Sequence, residues 1–264
     1  MFASERHNAI YQYLETHGSV STKELEELFG VSLETIRRDL MTMEAGGMLQ
    51  RVHGGAIRAG GLRPFLDLKT RLQSNNEGKR ELCRNAMDLI CEGDILAVDS
   101  GSTAITFAEC LRDTFHSLTV ITHSLDVFNL LRQKEGFRLI LCGGHYFAKE
   151  NAFYGPLCME AISRLQAQKA FIFPSAVSMH HGLFDNWEEL LPQQQAYIHQ
   201  SENVFVLADS SKFECRQLLK IDDMSEAFTY VTDSGLSEAL KETYQKNRFR
   251  VITGREKAKG KGKD

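Results

Sequence analysis

The stretch VSLETIRRDLMTMEAGGMLQRVHGG, Val31 to Gly55, decides how the N-terminal part of this chain is read. Ser32 stands where a helix can be capped, and Leu33, Ile36, Leu40 and Met43 follow at helical spacing as its inward side. That register points Glu34, Thr35 and Arg38 outward and puts Arg37 on the flank. Gly46-Gly47 breaks the helix, Met48 to Val52 reads as a strand, and Gly54-Gly55 turns the chain back toward Ala56 and Ile57. Upstream, Ile10, Tyr13, Leu14 and His17 form one side of a helix that Gly18 ends. Ser21 and Glu24 have the spacing of a capping box for a second helix, with Leu25, Leu28 and Phe29 as its apolar side and Gly30 permitting the turn that follows. The order predicts a winged helix-turn-helix over residues 1–58, whose last helix enters the major groove of double-stranded DNA. The residues expected at DNA are Ser32, Glu34, Thr35, Arg37, Arg38, Arg51 and His53, with Arg38 at a base edge and Arg37 and Arg51 on phosphates.

Overall charge does not announce this partner. The 264 residues carry 31 Lys and Arg against 35 Asp and Glu, a formal net charge of −4. The basic groups must therefore act locally, and Arg37, Arg38, Arg51, His53 and Arg58 do fall on the proposed reading helix and wing, while Glu24, Glu26 and Glu27 fall on the supporting helix. No apolar run approaches the roughly 18 residues a membrane span needs, and the first residues hold no apolar signal core, so a cytoplasmic protein is expected. Cys83, Cys91, Cys110, Cys142, Cys158 and Cys215 form no C-x-x-C pair and read as free thiols of a reducing compartment. The pair His180-His181 points to opposite sides of an extended segment, so neither a metal nor a cofactor is expected.

Gly60-Gly61 and Pro64 interrupt regular structure, and residues 59–78 are expected to be a linker. Beyond it, Ile95 to Asp99, Leu118 to Thr122, Phe137 to Cys142, Ala170 to Pro174, Val204 to Asp209, Thr229 to Asp233 and Phe249 to Thr253 read as strands separated by enough chain for helical crossovers. A largely parallel α/β domain over residues 79–254 is expected, then a disordered basic tail at 255–264 with Lys257, Lys259, Lys261 and Lys263. Open parallel sheets bind ligands at the carboxyl ends of their strands. After the first strand, Asp99, Gly101, Ser102 and Thr103 can offer backbone N–H groups and hydroxyls to an anion at a helix start. Thr122, His123 and Ser124 follow the second strand, with Ser124 placed to cap the next helix; Gly143 and Gly144 follow the third and permit close approach of a ligand. Lys212, in Asp209-Ser210-Ser211-Lys212-Phe213, supplies a compact positive charge for a phosphate.

TIRRDL (Thr35 to Leu40) and RVHGGA (Arg51 to Ala56) at this separation resemble the DeoR family of bacterial transcription regulators. The resemblance runs nearly the whole chain, since D-x-G-[ST]-T, T-x-S, GG and D-x-SKF elements recur in the family's order. It implies a C-terminal domain akin to sugar-phosphate isomerases and CoA transferases, with a phosphorylated sugar or related metabolite as effector. Two positions depart from the pattern. His123 stands where the family commonly has Asn, and is expected to be either a pH-sensitive ligand contact or a surface histidine. Pro174 to Ser178 lacks the acidic cluster that isomerases of this fold use for proton transfer, so no base for isomerisation is evident there; Asp185, Glu188 and Glu189 follow as candidates for sugar hydroxyls or for a helix cap. The expected protein is a sequence-specific repressor of carbohydrate genes, acting as a dimer or tetramer, against the alternatives of an isomerase-like enzyme or a winged helix used only for protein contacts.

Overall fold

The computed structural model describes residues 3–45, 48–52, 54–58 and 66–254. Gly46-Gly47, His53, the Gly60-Gly61 and Pro64 stretch and the basic tail lie outside the described residues. In the N-terminal unit, helices α1 (Ala3–His17), α2 (Thr22–Phe29) and α3 (Leu33–Ala45) pack on three strands, β1 (Ser19–Ser21), β2 (Leu49–Val52) and β3 (Gly55–Arg58), in the order β1-β3-β2. The capping box is present: Glu24 N donates to Ser21 Oγ at 3.1 Å, and Ser21 N donates to the Glu24 carboxylate at 2.7 Å. Ile10, Leu14, Val20, Leu25, Ile36, Leu40, Met43, Leu49 and Ala56 form one buried core, while Leu28, expected inside, is exposed. Strand β1 was not expected; its three residues carry too short an alternation to read, and its pairing with β3 completes the wing sheet.

The segment expected to be linker is partly helical. Helix α4 (Leu68–Gln73) is capped by Asp67, whose carboxylate accepts from Thr70 N at 2.7 Å, and α5 (Asn76–Met87) starts before residue 79. The chain continues through β4 (Ile95–Val98), α6 (Ser102–Thr114), β5 (Leu118–Thr122), α7 (Leu125–Leu131), β6 (Phe137–Leu141), the hairpin β7 (His145–Phe147) and β8 (Ala152–Tyr154), α8 (Pro156–Ser163) and β9 (Ala167–Ile172). Then come β10 (Ala176–Ser178), β11 (Gly182–Asp185), α9 (Leu191–His199), β12 (Ser201–Leu207), the 3₁₀ turn Ser210–Lys212, β13 (Leu219–Asp222), β14 (Thr229–Thr232), α10 (Glu238–Lys246) and β15 (Arg250–Thr253).

The expected strands form one seven-stranded parallel sheet in the order β15-β14-β12-β9-β4-β5-β6. Two apolar layers cover its faces: Leu82, Phe107, Leu111 and Val127 on one side, Ile162, Tyr197, Leu240 and Tyr244 on the other. Not every crossover is helical. The step from β12 to β14 runs through β13, which pairs with β11 and β10 in a small antiparallel sheet. From β4 the chain steps outward through β5 to β6, then returns to β9 on the other side of β4. The reversal makes the carboxyl ends of β4 and β9 a topological switch, where an open sheet leaves a crevice.

Candidate functional site

There are two candidate sites, and the first is the outer face of α3 with the wing. Thr35 N donates to Ser32 Oγ at 3.4 Å and the two hydroxyls lie 3.0 Å apart, so Ser32 caps α3. Ile36, Leu40 and Met43 are buried, Ser32, Glu34, Arg37, Arg38 and Arg51 are exposed, and Thr35 is half-buried. Arg37 and Arg51 line one hollow of about 330 Å³ with Thr22, Leu40, Val52, Gly54 and Gly55, between the helix and the wing. Arg51 is steered by Glu44, whose carboxylate accepts from Arg51 N at 2.8 Å and lies 3.9 Å from its guanidinium. Behind the face sits a pair the sequence reading missed. Arg6 donates to both oxygens of buried Asp39, at 2.8 and 3.1 Å, and His7 Nε2 lies 2.9 Å from it. Burial pushes the Asp39 carboxyl up, but Arg6 and His7 outweigh that and hold it below the usual carboxylate range. The pair braces α1 against the inner side of α3.

The second site is at the sheet switch. The Asp99 carboxylate is fully buried and accepts from Ser100 N at 2.7 Å, Phe173 N at 3.2 Å and Gln194 Nε2 at 3.1 Å, so it joins the ends of β4 and β9 to α9. The same Gln194 amide donates to Asp185 at 2.7 Å, and Ser175 Oγ donates to Asp185 at 2.8 Å. A carboxylate therefore does reach the Pro174–Ser178 loop, but from β11. Lys212 Nζ donates to the Pro174 carbonyl at 2.9 Å. Gly101, at φ +106°, leads into α6 without a side-chain cap, and Ser102 and Thr103 form its buried first turn. Thr122 Oγ1 accepts from Ser124 N, and Ser124 Oγ accepts from Val127 N at 3.3 Å, so these two hydroxyls hold the loop and cap α7.

Electrostatics here follow from burial. Asp99 is pushed up to about 7, chiefly by loss of water and further by Asp185. His123 is pushed down to about 3 by burial alone. It is neither a surface histidine nor a pH-sensitive contact near neutrality: its ring is wholly enclosed, with Nδ1 3.3 Å from the Tyr197 hydroxyl and Nε2 3.7 Å from Asp99. Gly144 also differs from expectation. A Cβ there would stand 2.4 Å from the Tyr154 carbonyl and 3.1 Å from Cys158, so its bareness serves packing; Gly143 faces nothing within 4 Å. Among the described residues, three buried polar atoms in this region have no hydrogen-bond partner: Thr103 Oγ1, His123 Nε2 and Gln194 Oε1. Gln194 gave no signal in the sequence, because an amide inside a Gln-rich helix start reads as solvated surface.

A helix face and wing of the kind that meets DNA, joined to an α/β domain whose sheet switch gathers buried polar groups, has the architecture of a two-domain transcription regulator. Residues 6–60 match the DeoR-like helix-turn-helix domain and residues 74–234 the DeoR C terminal sensor domain. The chain belongs to the DeoR family of transcription regulators. It is 33% identical to the L-fucose operon activator of Haemophilus influenzae, over 89% of this chain and 94% of that protein. To the glycerol-3-phosphate regulon repressor of Escherichia coli K12 it is 30% identical, over 89% of this chain and 92% of that one. Among solved structures it is similar to ribose 5-phosphate isomerase A from Methanocaldococcus jannaschii, with TM-score 0.39 and 19% identity over 53% of this chain and 55% of that chain. Among the described residues no helix is long and apolar enough to cross a membrane, and no group of three His, Cys, Asp or Glu side chains is placed to hold a metal.

Proposed function

We propose that this regulator is a cytoplasmic repressor of carbohydrate genes whose affinity for operator DNA is set by a phosphorylated sugar bound at the sheet switch. The observation that carries the reading is the set of buried, unpartnered atoms on Thr103, His123 and Gln194 beside the uncapped start of α6. Each such atom costs about 1–3 kcal/mol until something bonds it. The two ends of the crevice suit the two ends of a sugar phosphate: helix-start N–H groups and Lys212 for the anion, Asp99, His123, Asp185 and Gln194 for hydroxyls. The names of the relatives support a carbon-source theme, an L-fucose operon and a glycerol-3-phosphate regulon among them.

On the DNA side, Arg38 reads a base edge, Arg37 and Arg51 hold phosphates, and Ser32, Glu34 and Thr35 complete the helix start. A single winged helix with so few basic groups reads only a few base pairs, so a homo-oligomer presents two or more of them to repeated half-sites. The test is a binding titration on DNA flanking the protein's own gene, with and without phosphorylated sugars and their unphosphorylated parents. A phosphorylated sugar should change the affinity by about 5- to 150-fold. If free sugars act equally well, or none acts, the phosphate assignment falls.

A further inference from the structure

Arg71 lies on α4, the short helix that follows the stretch between the two domains, and its side chain turns toward the ligand crevice. Its Nε donates to the Leu66 carbonyl at 3.0 Å, and one Nη2 hydrogen goes to the buried Glu150 carboxylate. The remaining nitrogen, Nη1, makes no hydrogen bond among the described residues, and it is the one atom within 4 Å of where a Cβ on Gly101 would stand, at 3.5 Å. Gly101 opens the uncapped first turn of α6, and Thr103, two residues on, carries one of the unpartnered hydroxyls. A guanidinium with an uncommitted edge thus faces the N–H groups proposed to receive the phosphate.

Two other contacts fix this arm to the chain's own backbone. Buried Lys79, from α5, donates to the carbonyls of Arg71 and Ser74, so the end of α4 is pinned to the sensor domain. Glu150 also accepts from Trp187 Nε1 at 2.7 Å, and burial raises its carboxyl even though Arg71 opposes the shift. Glu150 therefore holds Arg71 as a counter-charge without matching a phosphate: a phosphate monoester dianion offers one more terminal oxygen than a carboxylate and more charge, and two of its oxygens can meet the planar guanidinium fork side by side.

We propose that Arg71 is a direct phosphate ligand of the effector site, contributed by the interdomain segment, and that it exchanges part of its pairing with Glu150 for the phosphate when effector binds. This rests on the phosphorylated-sugar reading. Because Arg71 belongs to α4, the first described element after the winged helix, the exchange ties occupancy of the site to the part of the chain that leads to the DNA-reading domain.

Two substitutions separate a ligand from a mere brace, since both break the same ion pair. Calorimetric titration of the full-length protein with ribose 5-phosphate, glycerol 3-phosphate, other phosphorylated sugars and inorganic phosphate supplies the wild-type affinity. Arg71→Ala should weaken the phosphorylated compound that binds by roughly tenfold to a hundredfold, whereas Glu150→Gln, which frees the guanidinium, should leave that affinity intact or raise it. Equal losses in the two variants would make Arg71 structural, and unchanged affinity in Arg71→Ala would remove it from the site; either result overturns the proposal while the effector reading stands. If no phosphorylated compound binds the wild-type protein, both fall together. Arg71→Lys, which keeps the charge and loses the fork, should sit between wild type and Ala.

Discussion

Gly18 ends α1 at φ +76° directly against the turn that carries Lys212: an added Cβ would lie 3.0 Å from both the Ser210 carbonyl oxygen and Ser211 Cα. The turn cannot yield easily. Ser210 is bonded twice to Asp233, at 2.7 and 2.8 Å, and Asp209 Oδ1 accepts from Ser211 N at 3.2 Å. Gly30 is the internal control, because it too is left-handed, at φ +61°, yet has nothing within 4 Å of its Cβ position. Alanine at either position pays the same left-handed backbone penalty, about 1–2 kcal/mol. Only Gly18→Ala also forces the winged helix and the Ser210–Lys212 turn apart by a few tenths of an ångström. Both variants should therefore lose thermal stability, Gly18→Ala the more of the two, while only Gly18→Ala should change, by several-fold, the factor by which a phosphorylated sugar alters operator affinity. The assay is a fluorescence-anisotropy titration of operator DNA at zero and saturating effector for wild type and both variants. If Gly18→Ala and Gly30→Ala respond alike, the contact between α1 and this turn carries no signal.

Other tests address the two sites separately. Arg38→Ala should lose about 1–3 kcal/mol of operator affinity, concentrated at one base position in a panel of mutated sites, whereas Arg51→Ala should weaken all sequences alike and lower the salt slope by about 1. Asp99, held at about 7 in the fold against ~3.9 unfolded, keeps its proton across a window where the unfolded chain has released it, so it lowers stability as pH rises from about 4 to 7. His123, at about 3 in the fold, acts in the opposite sense below its unfolded value of ~6.5, leaving the fall due to Asp99 unopposed only near neutrality. Denaturant melts from pH 6.5 to 7.5 should show that fall, and an unchanged slope in Asp99→Asn would assign it elsewhere. Asp39, lowered in the fold, stabilises at pH values above its ordinary range and loses that contribution as pH falls through its folded value. Asp39→Ala should thus cost more stability at pH 7 than in acid, as followed by circular dichroism.

What could be read from the sequence was what local spacing encodes. The α3 register, the Ser21–Glu24 box and the strands of the main sheet rest on periods of a few residues, and they stand where those periods put them, with ends shifted by up to three residues as at Ala167–Ile172 and Ser201–Leu207. Strands β1 and β10 were invisible because three residues cannot show an alternation, and β11 and β13 because they pair with each other across more than thirty residues. The burial of His123 was equally hidden: a residue beside Thr122 and Ser124 looks polar until α9 closes over it with Tyr197.

The residues that join the two functions are the hardest to read, for a physical reason. Helix α4 spans only Leu68–Gln73, with no buried side chain of its own, so it has no apolar stripe to betray it. Its meaning lies in contacts made far along the chain: Arg71 meets Glu150 across 79 positions, and Gly18 meets a turn that begins at Ser210. Periodicity reports which side of a helix faces a core; it carries nothing about which distant carboxylate an exposed arginine will find. Apolar packing within each domain is committed to its own core, so long-range polar contacts of this kind are the ones a ligand can exchange. On the proposal that a phosphorylated effector binds at the sheet switch, an arginine on α4, beside that candidate site and close in sequence to the path toward the winged helix, is therefore where a bound phosphate could be converted into a change at DNA.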